Sequence, residues 1–345
     1  MCIRDRYRTT RSRHPCHRGL YAPAMKPVSI KFLLFMVMSG SGITACGPAD
    51  TPDQAEPGPV FKQVGELEHK KLNEASGIVA GNNGVFFLHN DGGDHLFAID
   101  NTGRNLGRMK VKKAKNRDWE DITRVMDDFP LLVVGDTGDN MGTRNSVRLY
   151  FIEEPDPADF EGKVRPVHKL DIRYPDGPRD VESMAWDPHS DMILFLSKRD
   201  VPPRLYGIPR DLALVEQELE AEFLGEIHPL PRPTRSDLLS SPKRGLWVSQ
   251  PTGMDISSDG RLAAVLTYRS LYLYERKKQE SWLEAFQRKP VEFRGPPGLH
   301  DEAVAFSHDQ ESVYVATERR PAPLHRLDLD DAVFRALRRE TPAEP

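Results

Sequence analysis

The chain has 345 residues, with 48 Lys and Arg against 52 Asp and Glu and a formal net charge of −4. Without residues 1–45, 40 basic and 51 acidic residues remain and the net charge is −11, which argues against nucleic acid as a partner. The chain is long enough to bury a large hydrophobic core. Only three cysteines are present, Cys2, Cys16 and Cys46, so we expect no disulfide framework.

The first 45 residues have the features of segments that precede a fold. Residues 1–24 hold six arginines without an apolar period, and we expect them to be a spurious leader before a start at Met25. Residues 25–45 have the features of a signal peptide, in which lysines precede a short apolar core at 32–38. That core is too short to span a membrane.

The end of this segment, Ile-Thr-Ala-Cys at 43–46, resembles the lipobox of bacterial lipoproteins, which would make Cys46 the lipidated residue. A plain signal peptide with a chance cysteine is the alternative. Residues 46–59, with four prolines, are predicted to be a flexible tether. Gly47 rather than Asp follows the cysteine. We therefore expect a lipoprotein of the bacterial cell envelope, at the outer membrane and facing the periplasm, with membrane contact through the lipid only.

Five short apolar strands recur along the chain, and each opens on an acidic or small polar residue. The predicted strands are at 75–80, 120–125, 182–186, 253–256 and 302–306. In each repeat further strands and turns follow, at a period of roughly 45–70 residues, which is typical of a β-propeller. We predict an all-β chain with one propeller over residues 60–330, built from five four-stranded blades, and a tail at 331–345.

The fifth repeat contains only three strands, whereas residues 61–67 form a predicted strand with no blade of its own. We expect this N-terminal strand to complete blade five and close the ring, because closure removes two exposed sheet edges. The irregular stretch at 229–250 leaves six blades as the alternative. We assign residues 164–172 to the fourth strand of blade two, 211–222 to a surface excursion and 331–339 to a short exposed helix.

In a propeller the starts of the first strands and the ends of the second strands meet around one mouth of the central tunnel. Aligning the repeats predicts a ring of strand starts at Glu74, Glu120, Glu182, Thr252 and Glu302. The second-strand ends are Asn90, Asp136, Lys198, Tyr268 and Glu318, followed by Asp91, Thr137, Arg199, Arg269 and Arg319. Lys110, Lys112, Lys113 and Lys115 are assigned to a solvated outer edge of blade one.

Four converging carboxylates repel one another and need compensation. Ca²⁺ takes six to eight oxygen ligands and would suit Glu74, Glu120, Glu182 and Glu302. Alternatively, bases of the mouth neutralise the acids, and the ring is purely structural. The predicted ligand-binding residues are Asn90, Asp91, Asp136, Lys198, Arg199, Arg269 and Arg319. A cation beside these bases would suit an anionic small molecule.

Four segments carry a resemblance to a protein family: 74–77 (Glu-Ala-Ser-Gly), 88–91 (Leu-His-Asn-Asp), 116–121 (Asn-Arg-Asp-Trp-Glu-Asp) and 135–140 (Gly-Asp-Thr-Gly-Asp-Asn). They resemble a group of uncharacterised bacterial exported propellers, with the similarity covering roughly residues 65–330. The chain is more distantly similar to phytase-like and gluconolactonase-like propellers, whose tunnels hold Ca²⁺ between carboxylates. That resemblance implies a calcium-dependent hydrolase, although Thr252 departs from the acidic pattern.

Two functions remain in competition. The leading hypothesis is a lipid-anchored, periplasm-facing propeller that binds an anionic small molecule or an envelope protein at an acidic mouth, with Ca²⁺ as cofactor. The alternative is a Ca²⁺-dependent hydrolase of phosphoesters, esters or lactones. No nucleophile elbow, phosphate-binding glycine loop or His-Glu-x-x-His motif is present, so hydrolysis would have to be metal-assisted. A structural scaffold that binds its partner at the blade rims is a third option.

Overall fold

Five sheets, each built on four antiparallel strands, surround a central axis in the computed structural model, which describes residues 60–295, 301–318 and 320–340. The strands in chain order are β1 (Lys62–Glu66), β2 (Ala75–Ala80), β3 (Val85–Asn90), β4 (His95–Asp100), β5 (Asn105–Val111), β6 (Asp121–Met126), β7 (Pro130–Asp136), β8 (Val147–Glu153), β9 (Glu161–Val164), β10 (His168–Arg173), β11 (Val181–Asp187), β12 (Met192–Ser197), β13 (Arg204–Pro209), β14 (Glu218–Glu220), β15 (Glu222–Glu226), β16 (Pro251–Ile256), β17 (Leu262–Thr267), β18 (Ser270–Glu275), β19 (Val291–Arg294), β20 (Asp301–Phe306), β21 (Ser312–Thr317) and β22 (Pro323–Asp328). The helices are α1 (Arg210–Val215), α2 (Arg235–Ser240), α3 (Trp282–Phe286) and α4 (Asp331–Glu340). The leader, signal and tether segments, Cys46 and Arg319 lie outside the described residues.

The ring has five blades and is closed by its N-terminal strand, as predicted. β1 pairs antiparallel with β22, with Lys62 opposite Arg326, and completes the sheet β1-β22-β21-β20. An ion pair of 2.7 Å between Lys62 Nζ and Asp328 Oδ2 reinforces the pairing. Residues 229–250 contain α2 and a 3-10 turn and no strand pair, so the alternative of six blades is wrong.

Two short strands cross from one blade to the previous one. β9 leaves blade two and pairs parallel with β5 of blade one, and β14 leaves blade three and pairs parallel with β10 of blade two. The predicted fourth strand of blade two at 164–172 is β10, which begins only at His168, whereas Val164 at the start of the predicted range belongs to β9 in the sheet of blade one. Likewise the stretch at 211–222, expected to be a surface excursion, contains most of α1 and all of β14.

The hydrophobic core lies between adjacent blades, because the two neighbouring blades cover both faces of each sheet. Between blades one and two, the fully buried Trp119 ring lies 5.6 Å from His89 and 6.0 Å from Tyr150, measured between centroids. The C-terminal helix α4 buries Val333 and Leu337 in the core cluster of blades four and five, so the expectation of an exposed helix is wrong. No helix among the described residues is long and apolar enough to cross a membrane.

Candidate functional site

Four of the inner strands begin at a β-bulge and the fifth, in blade two, has an equivalent residue just before its first pair, which fixes the residues that face the mouth. The pairing register shifts between Ala75 and Gly77, Val181 and Ser183, Pro251 and Gly253, and Asp301 and Ala303. In blade two, Asp121 pairs with Gly135, and the preceding Glu120 N–H donates to the Gly135 carbonyl at 2.9 Å. The bulge positions are therefore Ser76, Glu120, Glu182, Thr252 and Glu302.

This register corrects the predicted ring in blade one. Ser76, not Glu74, occupies the bulge position, and Glu74 lies two residues earlier, where it is exposed. The Ser76 hydroxyl donates to the Glu120 carbonyl oxygen at 2.8 Å and lies 3.3 Å from Glu120 Oε2. The ring thus contains three glutamates and two hydroxyls rather than four glutamates.

The second-strand ends differ from the predicted ring by one residue in blades one and two. In blades one, three, four and five, the residues that follow the last positions paired with the inner strand are Asp91, Lys198, Tyr268 and Glu318. In blade two, β7 extends to Asp136, which pairs with Arg148 of β8, and Thr137 follows. We call these five residues the strand-end positions. Asn90 and Asp136, which the alignment grouped with Lys198, precede them, and a one-residue shift turns a side chain to the other face. Both side chains instead accept hydrogen bonds from the main chain. Asn90 Oδ1 accepts from the Glu74 N–H at 3.2 Å, and Asp136 Oδ1 accepts from the Asp118 N–H at 3.2 Å.

The mouth opens into a cavity of about 220 Å³ whose lining is mainly acidic. Six carboxylates line it, and they are Asp91, Asp118, Glu120, Glu182, Glu302 and Glu318. The basic lining residues are Lys198 and Arg244, the latter 3.7 Å from Glu318. Acids therefore outnumber bases among the described residues that line the cavity.

Three buried carboxylates converge at one side of this cavity. Oxygen atoms of Glu120, Asp180 and Glu182 all lie within 4.8 Å of one another. Asp180 accepts hydrogen bonds from the Asp139 N–H at 2.8 Å and from Arg199 Nε at 2.6 Å. We call these three residues the carboxylate cluster. It includes two of the four predicted metal ligands and one residue, Asp180, that the sequence did not place among them.

Lys198 connects the carboxylate cluster to the opposite side of the mouth. Its ammonium forms an ion pair with Glu182 and lies 3.0 Å from the Tyr268 hydroxyl. Tyr268 in turn interacts with Glu302 and opposes the rise of its pKa, so interacting side chains span blades three, four and five. Although burial disfavours its charge, the neighbouring Glu182, Tyr268 and Glu120 raise the pKa of Lys198.

Burial and mutual repulsion weaken the ionisation of the acids in the mouth. Burial raises the pKa of Glu182 to about 7, with Lys198 opposing the shift and Asp180 adding to it. Burial together with Glu318 raises the pKa of Glu302 to about 8, and burial together with Glu74 raises that of Asp91 to about 6. The pKa of Glu120 is also raised well above its ordinary value, by burial and by Glu182. The mouth therefore retains protons near neutral pH, which a bound cation would replace.

The loop Gly-Asp-Thr-Gly-Asp-Asn at 135–140 holds two of these acids in place. A Cβ atom on Gly138 would lie 2.2 Å from Glu120 Oε1 and 2.5 Å from Asp118 Oδ2, so these positions of the carboxylates require glycine. The Gly138 N–H donates to the Asp118 carbonyl at 3.2 Å. Asp139, by contrast, is engaged with the backbone of Thr143 and Arg144 at 2.9 and 2.8 Å.

The remaining predicted ligand-binding residues lie at the rim or outside the cavity. Arg199 pairs with Asp180 and hydrogen-bonds Asn140. Arg269 pairs with Asp237 of α2 at 2.8 Å and donates to the Pro231 carbonyl at 3.1 Å, so it fixes the 229–250 stretch to blade four rather than lining the mouth. Sequence reasoning missed Asp118 and Asp180 as site residues, although the repeated Arg-Asp pairs at 117–118 and 179–180 already indicated equivalent positions.

The site thus belongs to a five-bladed propeller with an acidic mouth. No protein-family model matches the chain, and no curated protein matches it either. Among solved structures, a gluconolactonase from Xanthomonas campestris superposes with a TM-score of 0.43 at 10% identity, covering 78% of this chain and 89% of that one. A streptogramin B lyase gives 0.39 at 9% identity, covering 79% and 98%. Raptor from Chaetomium thermophilum gives 0.36 at 12% identity, covering 75% and 20%. At these scores and identities the comparisons carry no argument about activity.

Proposed function

We propose that this propeller binds a divalent cation of the Ca²⁺ type in the carboxylate cluster and uses it to hold a small anionic ligand in the mouth. The observation that carries the proposal is the convergence of Glu120, Asp180 and Glu182 within 4.8 Å, at buried positions. Three carboxylates offer up to six oxygen atoms, and Ca²⁺ binds six to eight. The remaining coordination positions of the cation are available to water or to the ligand. All three residues supply carboxylate oxygens, which are hard ligands and disfavour the softer transition metals.

The fit of a cation to these residues is affected by Lys198. The ammonium already pairs with Glu182, so a cation would either lie toward Glu120 and Asp180 or displace the ammonium from Glu182. Glu120 forms no ion pair with any described base, which leaves its charge to be compensated. A bound Ca²⁺ would coordinate oxygen atoms of the ligand, while Lys198 and Arg244, which also line the cavity, would attract its negative charge.

The test is a calcium titration in which binding is measured by calorimetry and stability by thermal unfolding of the protein. We expect Ca²⁺ to raise the melting temperature and chelator to reverse the shift, because binding to the native state alone stabilises by ~2.7 kcal/mol at a hundredfold excess over Kd. Glu120→Gln should abolish the shift. Glu74→Gln is the matched control, because Glu74 is an exposed glutamate near the mouth but outside the carboxylate cluster. No calcium-dependent shift in the wild-type protein would overturn the proposal.

A hydrolase is the second candidate, and the position of Glu302 in the mouth favours it. Glu302 lines the cavity outside the carboxylate cluster, and burial together with Glu318 raises its pKa to about 8, so it holds a proton near neutral pH and could act as a general acid toward a leaving group. Phosphoester, ester and lactone substrates, each assayed with Ca²⁺ and with chelator, test this activity. Calcium-dependent turnover that is lost in Glu302→Gln while calcium binding is retained would support it, and no turnover in all three classes would eliminate it.

We propose, from the sequence alone, that the protein is exported and anchored to the cell envelope by lipid on Cys46. The support is the signal-like segment at 25–45 and the lipobox-like end at 43–46. Mass spectrometry of the mature N-terminus should find an acylated cysteine, and Cys46→Ala should move the protein from the membrane to the soluble fraction. A mature N-terminus without lipid would contradict the anchor.

A further inference from the structure

The outer edge of blade one contains a second cavity, of about 470 Å³, away from the mouth. Its walls are β5 and the crossing strand β9, where Lys163 lies opposite Lys110 in the parallel register. The imidazoles of His69 and His95 also line it, and their ring centroids lie 4.9 and 6.4 Å from that of Phe97. The cavity therefore depends on the strand that reaches back from blade two.

The lining of this cavity is positively charged in a chain that is otherwise acidic. Arg108, Lys110 and Lys163 line it, against one carboxylate, Glu161. Lys110 pairs with Asp94 at 2.9 Å. The Nη1 atom of Arg108 is buried and has no hydrogen-bond acceptor within the described part of the chain. A buried donor without an acceptor is costly, so this N–H group is suited to donate a hydrogen bond to an acceptor from outside the protein.

The two histidines respond to this positive environment. Burial, Arg108, Arg320 and Lys71 lower the pKa of His69. Burial also lowers the pKa of His95, together with Arg108, Lys110 and Lys71, while Asp94, whose Oδ1 lies 3.0 Å from His95 Nδ1, opposes the shift. An anion in the cavity would offset the repulsion from these bases and favour the charged imidazoles.

We infer that this cavity is a binding site for a phosphate-type dianion. The planar guanidinium of Arg108 can bond two oxygens of a tetrahedral anion, and Lys163 supplies an exposed second charge. Access is open on the β9 side, because nothing lies within 4 Å of the position of a Cβ atom on Gly162. The phosphate group can belong to a free molecule or to a lipid headgroup. This site shares no lining residue with the mouth and does not depend on the function proposed there.

Titration calorimetry with inorganic pyrophosphate tests the site, in the presence of chelator so that no metal bridges the anion to the mouth. We expect saturable binding that weakens about tenfold, or ~1.4 kcal/mol, in Arg108→Gln and in Lys163→Gln. Because Lys163 is exposed, its substitution leaves folding intact. Lys278→Gln, at an exposed lysine of blade four, is the charge-matched control and should bind as the wild type does.

Two further measurements define the ligand. Histidine signals in NMR should titrate at higher pH with pyrophosphate present, because the anion stabilises both imidazolium groups. Flotation with phosphatidic acid vesicles distinguishes the sources: co-flotation lost in Lys163→Gln indicates a lipid headgroup, and pyrophosphate binding without co-flotation indicates a free phosphate compound. Absence of binding to both probes, or binding that is equal in wild type, Arg108→Gln and Lys163→Gln, would overturn the inference.

Discussion

Lys198 and Glu182 form an ion pair in which each side chain is only 7% exposed to solvent. Glu182 belongs to the carboxylate cluster and Lys198 connects it to Tyr268, so Lys198 is a buried positive charge within the acidic mouth. Breaking a buried ion pair by removing one partner leaves an uncompensated charge. The pair therefore links the folding stability of the propeller to the cation affinity proposed for its mouth.

Replacement of the lysine should change stability and calcium affinity in opposite directions. Lys198→Met leaves Glu182 without its base, and we expect the loss of stability to grow as the pH rises above about 7, toward ~3–5 kcal/mol where Glu182 is fully ionised. The loss should be smaller near pH 5, where Glu182, with a pKa of about 7, is protonated. Calcium should bind more tightly to the variant, because the ammonium no longer competes. Urea unfolding and calorimetry measure both effects, with Lys278→Met as control; equal effects of the two substitutions would contradict this role.

Folding stability should fall as the pH rises from about 5 to about 8. The pKa of Glu302 is raised from 4.5 to about 8, so within this window the native protein holds a proton that the unfolded chain has released. The stabilisation is complete below the unfolded pKa and is lost as the pH passes the folded one. Asp255 and Asp301, with pKa values raised to about 7 and about 8 by burial, act in the same direction.

Each such carboxyl contributes up to ~1.4 kcal/mol per pH unit within its window. Urea unfolding at several pH values measures the slope. Glu302→Gln should flatten it, because the amide does not titrate, and added calcium should also flatten it by replacing protons of the carboxylate cluster. A stability that rises with pH over this range would show that these carboxyls are ionised in the native state.

The contact between Gly138 and the mouth acids predicts a binding defect without unfolding. Gly138→Ala would place a Cβ atom 2.2 Å from Glu120 Oε1, and the flexible carboxylate ends would have to move aside. We expect calcium affinity to fall about tenfold or more, equivalent to ~1.4 kcal/mol of binding energy. Gly92→Ala is the control, because its Cβ atom would meet only Glu74 Oε2, at 3.9 Å. Calorimetry of both variants, with melting curves alongside, distinguishes displacement of ligands from loss of fold.

Asp121 connects three blades near the axis, and its removal should weaken the whole ring. Its buried carboxylate accepts from the N–H groups of Met184 in blade three, at 2.8 Å, and of Met254 in blade four, at 3.3 Å. Asp121→Ala leaves these donors without an acceptor, at ~1–3 kcal/mol each. Asp121→Asn keeps one acceptor oxygen and should cost less. Urea unfolding measures the loss of folding stability in Asp121→Ala and in Asp121→Asn, with Asp128→Ala, at an exposed position, as the control. If Asp121→Ala loses no more stability than the control, water replaces the carboxylate.

The architecture of the ring could be predicted from the sequence, because two features of the pattern constrain it strongly. The repeat period indicates blades, and a strand at 61–67 without a blade can only pair with a blade that lacks one. Both predictions are confirmed by the pairing of β1 with β22. The crossing strands β9 and β14 could not be predicted, because each has only three or four residues and pairs with a strand of the preceding blade.

The site was predicted less well, because its residues are selected by register. In blade one both Glu74 and Ser76 are polar, and only the β-bulge decides that Ser76 faces the mouth. A bulge adds one residue to one strand, which sequence alternation does not count. Asn90 and Asp91 present the same ambiguity at the other strand end. In blades three to five, where Lys198, Tyr268 and Glu318 were placed at the strand ends, the structure agrees.

The closing strand also determines how a mechanical load would enter the protein. Any tension on the chain upstream of residue 62 reaches the blades through β1, which is held on blade five by its ladder to β22, by the Lys62–Asp328 ion pair and by the packing of Phe61 and Val64. Detachment of this strand would leave β22 as an unpaired edge of blade five. A force applied from the N-terminal side would therefore act first on the pairing of one short strand.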